Sequence, residues 1–181
     1  VPRLATKLLG LEAAATGREA VGDDRTAVWW FFADLPPLEL EKGRQPIRQG
    51  GPGLWVSTVA SWQELARWYE GLLSGRDVLD PELARQVAAW TEGVGEPSAI
   101  VATLCRRISQ QVRYLGLEFG TAAVQPRAAT EVWSTGFGDC KDLANLLRAM
   151  LASRGVESHL LLVNTQHSGR LELATPSHRQ F

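Results

Sequence analysis

One segment of this chain combines residue types that can carry out nucleophilic chemistry. Residues 136–142 read Gly-Phe-Gly-Asp-Cys-Lys-Asp, so a cysteine lies directly behind a glycine-flanked turn, where a helix is expected to begin. A helix N-terminus carries about half a positive charge and several unpaired N–H groups, and both favour the thiolate that attacks. The same N–H groups can hold an oxyanion that develops on a substrate carbonyl. Gly136 and Gly138 allow a tight turn and leave room for a ligand near the thiol. Cys140 is therefore a candidate nucleophile.

The residues around Cys140 predict an amphipathic helix. Asp139 has the residue type of an N-cap, and Gly155 has the type of a helix stop. Between them one apolar stripe recurs at spacings of three and four: Leu143, Leu146, Leu147, Met150 and Leu151. The helix is predicted to run from about Cys140 to Arg154. The alternative is that Cys140 is a small buried core residue that happens to lie at a helix start.

The segment resembles the transglutaminase-like superfamily, in particular its bacterial and archaeal branch. In that family a Gly-Asp-Cys-Lys-Asp run opens the helix that carries the nucleophile. Residues 112–120 resemble the family's Arg-Tyr segment, and residues 126–132 resemble the link that precedes the nucleophile. Residues 155–158 and 160–165 resemble the strand that follows the helix. The resemblance covers about residues 98–181.

The pattern along the chain predicts helices first and strands later. Three helices are predicted before Cys140, and they begin near Ser61, Asp80 and Ser98. The third is predicted to run to about Tyr114. Strands are predicted over residues 27–33 and 157–165, and a further strand could start at 171–174.

The predicted fold class is α+β. The resemblance implies the papain-like, transglutaminase-like version of it, with helices packed on an antiparallel sheet. Residues 1–55 resemble the C-terminal part of a β-rich domain followed by a connector, rich in turn signals and without a convincing series of strands. Residues 56–181 are expected to form the transglutaminase-like core.

The resemblance also implies two partners for the cysteine. In the family a His on the second strand after the helix acts as the base, and an Asp on the next strand orients it. The pattern that precedes this His aligns with residues 174–181, so the His is expected one or two positions beyond Phe181. The histidines within the chain are weaker candidates. His159 is expected to be partly buried on a strand, His167 to lie in a turn, and His178 to occupy a variable position.

Several other residues could have either a functional or a purely structural role. Trp133, in a predicted loop, and Phe137 are the candidate substrate-binding residues, and ordinary packing is as plausible for Trp133 as a channel wall. Glu131 and Asp142 are expected to be solvated or capping residues rather than catalysts. Cys105 is expected to pack in the core, on the apolar side of its helix.

Composition excludes several classes of protein. The chain has 181 residues with 19 basic and 20 acidic side chains, so a net charge of −1 gives no support for nucleic-acid binding. No apolar run approaches the ~20 residues of a membrane helix, so no membrane span is predicted. Two cysteines are too few for a disulfide scaffold, and three histidines without a Cys-x-x-Cys pair predict neither a metal site nor a cofactor.

The leading functional hypothesis is a cysteine enzyme domain that acts on amide bonds of a protein or peptide. Cys140 would form a thioester acyl-enzyme and pass the acyl group to an amine or to water. Without the His and Asp, residues 1–181 are expected to be inactive. The alternatives are a non-catalytic binding or scaffold module with the same fold, and a redox-sensing thiol that would need Cys105 as its partner. The resemblance implies a periplasmic or secreted protein, and an open edge of strand 157–165 predicts self-association.

Overall fold

The computed structural model of the chain describes residues 5–9, 15–21, 25–35, 53–116, 123–163 and 173–181. The chain divides into two compact units. One comprises Val1–Arg67 together with Leu162–Phe181, and the other comprises Trp68–Leu161. The described residues form five α-helices and three short sheets, which confirms the predicted α+β class.

The first unit contains two antiparallel strand pairs. Strand β1 (Ala5–Leu9) pairs with β4 (Gly53–Ser57), and β2 (Ala15–Val21) pairs with β3 (Arg25–Phe31). Strand β3 confirms the strand predicted over residues 27–33, although it ends at Phe31. The expectation that this region lacks a series of strands was wrong. Strand β2 is exposed along nearly all of its length, so no alternation of apolar and polar residues marks it.

The last residues of the chain belong to the same unit. The indole Nε1 of Trp62 donates a hydrogen bond to the carbonyl oxygen of Leu173, over 2.9 Å. The ring of Phe181 meets the Trp62 ring edge-on, with centroids 6.2 Å apart. His178–Gln180 forms one 3₁₀ turn between these contacts. The predicted strand at 171–174 is wrong for residues 173 and 174, which form a turn, and its first two residues lie outside the described residues.

Five helices follow strand β4 along the chain. They are α1 (Trp62–Leu73), α2 (Pro81–Trp90), α3 (Pro97–Gln111), α4 (Ala129–Thr135) and α5 (Cys140–Ser153). The predicted caps are present. The Ser61 hydroxyl accepts a hydrogen bond from the Glu64 N–H at 3.1 Å, and the Asp80 carboxylate accepts one from the Leu83 N–H at 2.7 Å. The starts of α1 and α2 are therefore fixed by local sequence.

Helix α3 ends three residues before the predicted position. Val112 already has an extended backbone, and the next two residues form strand β5 (Arg113–Tyr114). This strand pairs in parallel with strand β6 (Phe137–Gly138), so Tyr114 lies opposite Gly138. The helical stripe continues into Val112, which is buried, and the sequence pattern therefore runs past the true end of the helix.

Helix α4 was not predicted, because the region around Trp133 was expected to be a loop. The helix has seven residues, and only Ala129 and Val132 are buried, so it is too short to show a helical stripe. The Ala129 N–H donates to the Arg76 carbonyl oxygen at 2.8 Å, which ties the start of α4 to the loop before α2. Gly136 ends the helix in the left-handed conformation, at φ 69°.

Helices α2, α3, α4 and α5 enclose one hydrophobic core within the second unit. Its buried members are Leu83, Val87, Ile100, Leu104, Ile108, Val112, Ala129, Val132, Leu146, Ala149, Met150 and Leu151. The predicted stripe of α5 is confirmed, because Leu146, Met150 and Leu151 are buried while Leu143 and Leu147 pack at the margin. The core therefore holds the helix that begins with Cys140 against three others.

The strand predicted over residues 157–165 is absent from its described part, residues 157–163. Exposure alternates along this segment, as expected of an extended chain, and Leu161 is 83% exposed. Among the described residues no other strand pairs with it. An extended segment without backbone hydrogen bonds to a neighbouring strand is not a β-strand. The open sheet edge from which self-association was predicted is therefore not formed by these residues, and residues 164 and 165 lie outside the described part.

Candidate active site

The thiol of Cys140 lies at the first residue of helix α5 and is exposed to solvent. The alternative that Cys140 is a buried core residue is therefore wrong. Its position follows from local sequence, because Asp139 caps the helix with a φ of −98° and a ψ of −170°. An accessible thiol at a capped helix N-terminus has the placement that a nucleophilic cysteine needs.

A reciprocal capping box fixes the first turn of helix α5. The Asp139 carboxylate accepts a hydrogen bond from the Asp142 N–H at 3.4 Å, and the Asp142 carboxylate accepts one from the Asp139 N–H at 3.3 Å. The two residues are 2% and 5% exposed. The Lys141 ammonium pairs with the second oxygen of Asp139. Asp142 is thus a capping residue, as predicted, and Cys140 lies between the two acids of the box.

Gly138 is required by packing rather than by a ligand. A Cβ at this position would lie 2.9 Å from the Cβ of Asp142 and 3.1 Å from a methyl group of Val132. The space beside the Gly138 Cα is therefore filled by the protein itself. The expectation that this glycine leaves room for a ligand near the thiol is corrected accordingly.

Arg127 contacts both sides of the segment that carries Cys140. Its Nε donates to Asp142 at 3.2 Å, its backbone N–H donates to the same carboxylate at 2.9 Å, and its terminal nitrogen donates to the Phe137 carbonyl oxygen. The guanidinium also lies over the Phe137 ring, 4.5 Å from the centroid. Glu131, on helix α4, forms an ion pair with it at 3.5 Å and is about half exposed.

The charge of Cys140 influences two tyrosines, Tyr69 and Tyr114. The negative charge of Cys140 raises the pKa of Tyr114, and desolvation and the charge of Asp139 act in the same direction. Strand β5 places Tyr114 opposite Gly138, two residues before Cys140. Burial raises the pKa of Tyr69, and the charge of Cys140 adds to this effect. Both phenols therefore stay protonated at neutral pH, where they can donate hydrogen bonds but cannot serve as the base.

The two candidate substrate-binding residues lie on different elements. Trp133 is on helix α4 at the margin of the core, and its ring centroid is 5.4 Å from that of Trp90. Phe137 is on strand β6 beneath the Arg127 guanidinium. Each has a packing role inside the second unit, and substrate contact by either residue stays a prediction.

The two histidines whose placement is described, His159 and His178, are both exposed. The side chain of His159 is 83% exposed and pairs with Glu157 at 3.3 Å, so the expectation of a partly buried strand residue was wrong. His178 lies on the 3₁₀ turn of the other unit and is exposed. His167 lies outside the described residues.

Cys105 is an exposed free thiol on helix α3, which corrects the prediction that it packs in the core. The buried stripe of α3 is centred on Ile100, Leu104 and Ile108, at spacings of four. Cys105 follows Leu104 by one residue, about 100° around the helix, and this rotation carries its side chain to the surface. Exposure alone therefore does not distinguish the two cysteines.

Sequence reasoning missed the groups that support the site from other elements. Tyr69, Tyr114 and Arg127 come from helix α1, strand β5 and the loop before α4. Asn145, on helix α5, is fully buried, and its amide donates to the carbonyl oxygens of Arg76 at 2.8 Å and of Arg127 at 3.3 Å. The available signal for Asn145 was a polar residue beside the apolar stripe of an otherwise regular helix.

Clusters of metal ligands and membrane-spanning helices are both absent from the part of the chain that the structure describes. No group of three or more His, Cys, Asp or Glu residues there is arranged to hold a metal ion. Of the helices in this part, none combines the length and apolar character needed to cross a bilayer.

Comparison with known proteins gives one structural likeness. No protein-family model matches the chain, and no curated protein matches it. The crystal structure of a "putative protease" from Parabacteroides distasonis superposes with a TM-score of 0.65 at 20% sequence identity. The superposition covers 85% of this chain and 30% of that one, so the present chain spans less than a third of the similar protein. At this level of identity the likeness concerns the fold.

Proposed function

We propose that this chain carries the nucleophile of a transglutaminase-like cysteine enzyme that acts on amide bonds. The observation that carries the proposal is the exposed Cys140 thiol at the capped N-terminus of helix α5. The resemblance of residues 98–181 to the transglutaminase-like superfamily supports it. The papain-like core and the division between residues 1–55 and 56–181 belong to the same proposal.

The reaction proceeds in two balanced steps. The Cys140 sulfur attacks the amide carbonyl carbon, the C–N bond breaks, and the amine leaves with a proton as a thioester forms. Water or a second amine then attacks the thioester carbon and releases the thiolate, and the incoming nucleophile loses a proton to the base. The capping box uses the N–H groups of Asp139 and Asp142, so the backbone N–H groups of Cys140 and Lys141 are the first-turn donors that we propose for the oxyanion.

We expect the base to be a residue other than Tyr69, Tyr114 and His159. Both tyrosines stay protonated, and His159 pairs with Glu157 at the surface. The resemblance places the base on a His after Phe181, and an Asp orients it.

The substrate class follows from the same reasoning. A protein or peptide amide fits an exposed thiol on a helix start, and peptide cleavage is the variant that the fold likeness to the Parabacteroides protein favours. Transfer to an amine differs only in the second nucleophile. A non-catalytic binding module is the second candidate, and the solvent-facing His159 is the observation that favours it.

The test compares the two free cysteines in one protein. Both thiols are exposed, so a difference in alkylation reflects the chemical environment rather than access. We expect iodoacetamide to label Cys140 several-fold faster than Cys105 at neutral pH, because only Cys140 lies at a helix N-terminus. Peptide mass spectrometry over a pH series gives both rates, and faster labelling of Cys105 would sink the assignment of Cys140 as the nucleophile.

A further inference from the structure

Arg127 stands out among the charged residues of the second unit because one side chain joins three elements. Its guanidinium contacts Glu131 on helix α4, the Phe137 carbonyl oxygen on strand β6 and the Asp142 carboxylate on helix α5. Its side chain is only 23% exposed. The planar fork of arginine can hold several acceptors at once, which a lysine ammonium on a flexible stem does less well.

The contacts of Arg127 bracket the nucleophile. Phe137 precedes Cys140 by three residues and Asp142 follows it by two. Asp142 in turn holds the Asp139 N–H through the capping box, so the guanidinium fixes the backbone of residues 137–142 at both ends. This backbone sets the direction of the Cys140 side chain and of the N–H groups beside it.

Charge gives a second reason for Arg127 at this position. Asp139 and Asp142 lie on either side of Cys140 in the sequence and are nearly buried, so two acidic side chains need counter-charges close to the attacking residue. Lys141 pairs with Asp139, and Arg127 pairs with Asp142. The two cations thus balance the two carboxylates around Cys140.

We propose that Arg127 is a positioning residue for the Cys140 nucleophile. It orients the first turn of α5 through Asp142 and the Phe137 carbonyl, and its positive charge neutralises the Asp142 carboxylate. The proposal rests on the nucleophilic role of Cys140 proposed above. Arg127 does not touch the reacting atoms, and its effect reaches the thiol through the first turn of α5.

The test alkylates Cys140 in Arg127→Met and Arg127→Lys, with Cys105 as an internal reference in each protein. We expect Arg127→Met to slow the labelling of Cys140 about tenfold at pH 7, because Asp142 loses its counter-charge and the turn loses its anchor. Arg127→Lys keeps the charge but not the fork, and we expect an intermediate loss of about threefold. The labelling of Cys105 should stay unchanged in both.

Arg148→Met is the matched control. Arg148 also lies on helix α5 and pairs with an aspartate, Asp77, at 3.1 Å, but it makes no recorded contact with the first turn among the described residues. We expect Cys140 in the Arg148→Met variant to be alkylated within about twofold of the wild-type rate. Wild-type labelling in Arg127→Met, or an equal loss in Arg148→Met, would overturn the proposal.

Hydrogen exchange separates this proposal from the proposed function. In Arg127→Met the amides of residues 137–142 should exchange faster, while those of the buried part of α5 around Met150 should not change. If wild-type Cys140 labels no faster than Cys105, the nucleophile assignment fails, and the exchange of residues 137–142 still decides the role of Arg127. Unchanged exchange there would contradict it.

Discussion

Cys140→Ala in the full-length protein is expected to reduce turnover of an amide or thioester substrate by on the order of 10⁴- to 10⁶-fold. Alanine keeps the helix start, because the capping box uses Asp139 and Asp142 rather than the thiol. The loss therefore reflects removal of the attacking sulfur and not a change in fold. Steady-state kinetics with a chromogenic peptide amide or thioester measures it, alongside a thermal melt that should move by less than a few degrees.

Cys105→Ala is the control for this prediction. It removes the second exposed thiol of the described residues from the middle of helix α3, and we expect turnover within twofold of wild type. If Cys140→Ala retained most of the activity, another residue would be the nucleophile. If Cys105→Ala lost as much activity as Cys140→Ala, the site at the start of α5 would not be the centre of the chemistry.

Leu146→Ala is expected to have the largest effect on stability, about 2–5 kcal/mol in the free energy of unfolding. Leu146 is fully buried on α5, in the core shared with α2, α3 and α4, and its removal leaves a cavity that the surrounding helices fill only in part. Denaturant titration followed by tryptophan fluorescence measures the change.

Leu161→Ala makes the same chemical change at the surface of the same unit. Leu161 is 83% exposed, and we expect a cost of no more than about 0.5 kcal/mol. Equal costs for the two variants would mean that α5 does not bury its apolar stripe against α2, α3 and α4.

The elements that the sequence predicted well are those with local signals. Asp139, the apolar stripe and Gly155 predicted helix α5 to within one residue, and Ser61 and Asp80 predicted the starts of α1 and α2. These signals lie within one or two turns of the structure that they specify, because capping and amphipathic burial are local interactions.

The elements that were missed depend on contacts between distant residues. Strand β5 exists because Arg113 and Tyr114 meet residues 137 and 138, and no local pattern encodes that pairing. The same pairing places Tyr114 opposite Gly138, two residues before Cys140. Helix α4 is too short for periodicity, and residues 157–163 show the alternation of a strand without a recorded partner in the described part of the chain.

The burial of two single residues was predicted wrongly. For Cys105 the cause was its rotation about the helix axis, and for His159 it was a strand pairing that was assumed. Cys105 was placed on the buried side of α3, yet one residue beyond Leu104 the side chain is already at the surface. His159 was placed on a half-buried strand and is exposed beside Glu157. In both cases the residue type was compatible with burial, and the tertiary neighbours decided the outcome.

Trapping the acyl-enzyme is the most direct test of Cys140 as the nucleophile. The full-length protein is mixed with the p-nitrophenyl ester of a short peptide, quenched in acid, digested and mapped by mass spectrometry. The account predicts one acyl group, attached as a thioester to Cys140 and absent from Cys140→Ala. An acyl group on Cys105, or turnover of the ester with no adduct on Cys140, would contradict it.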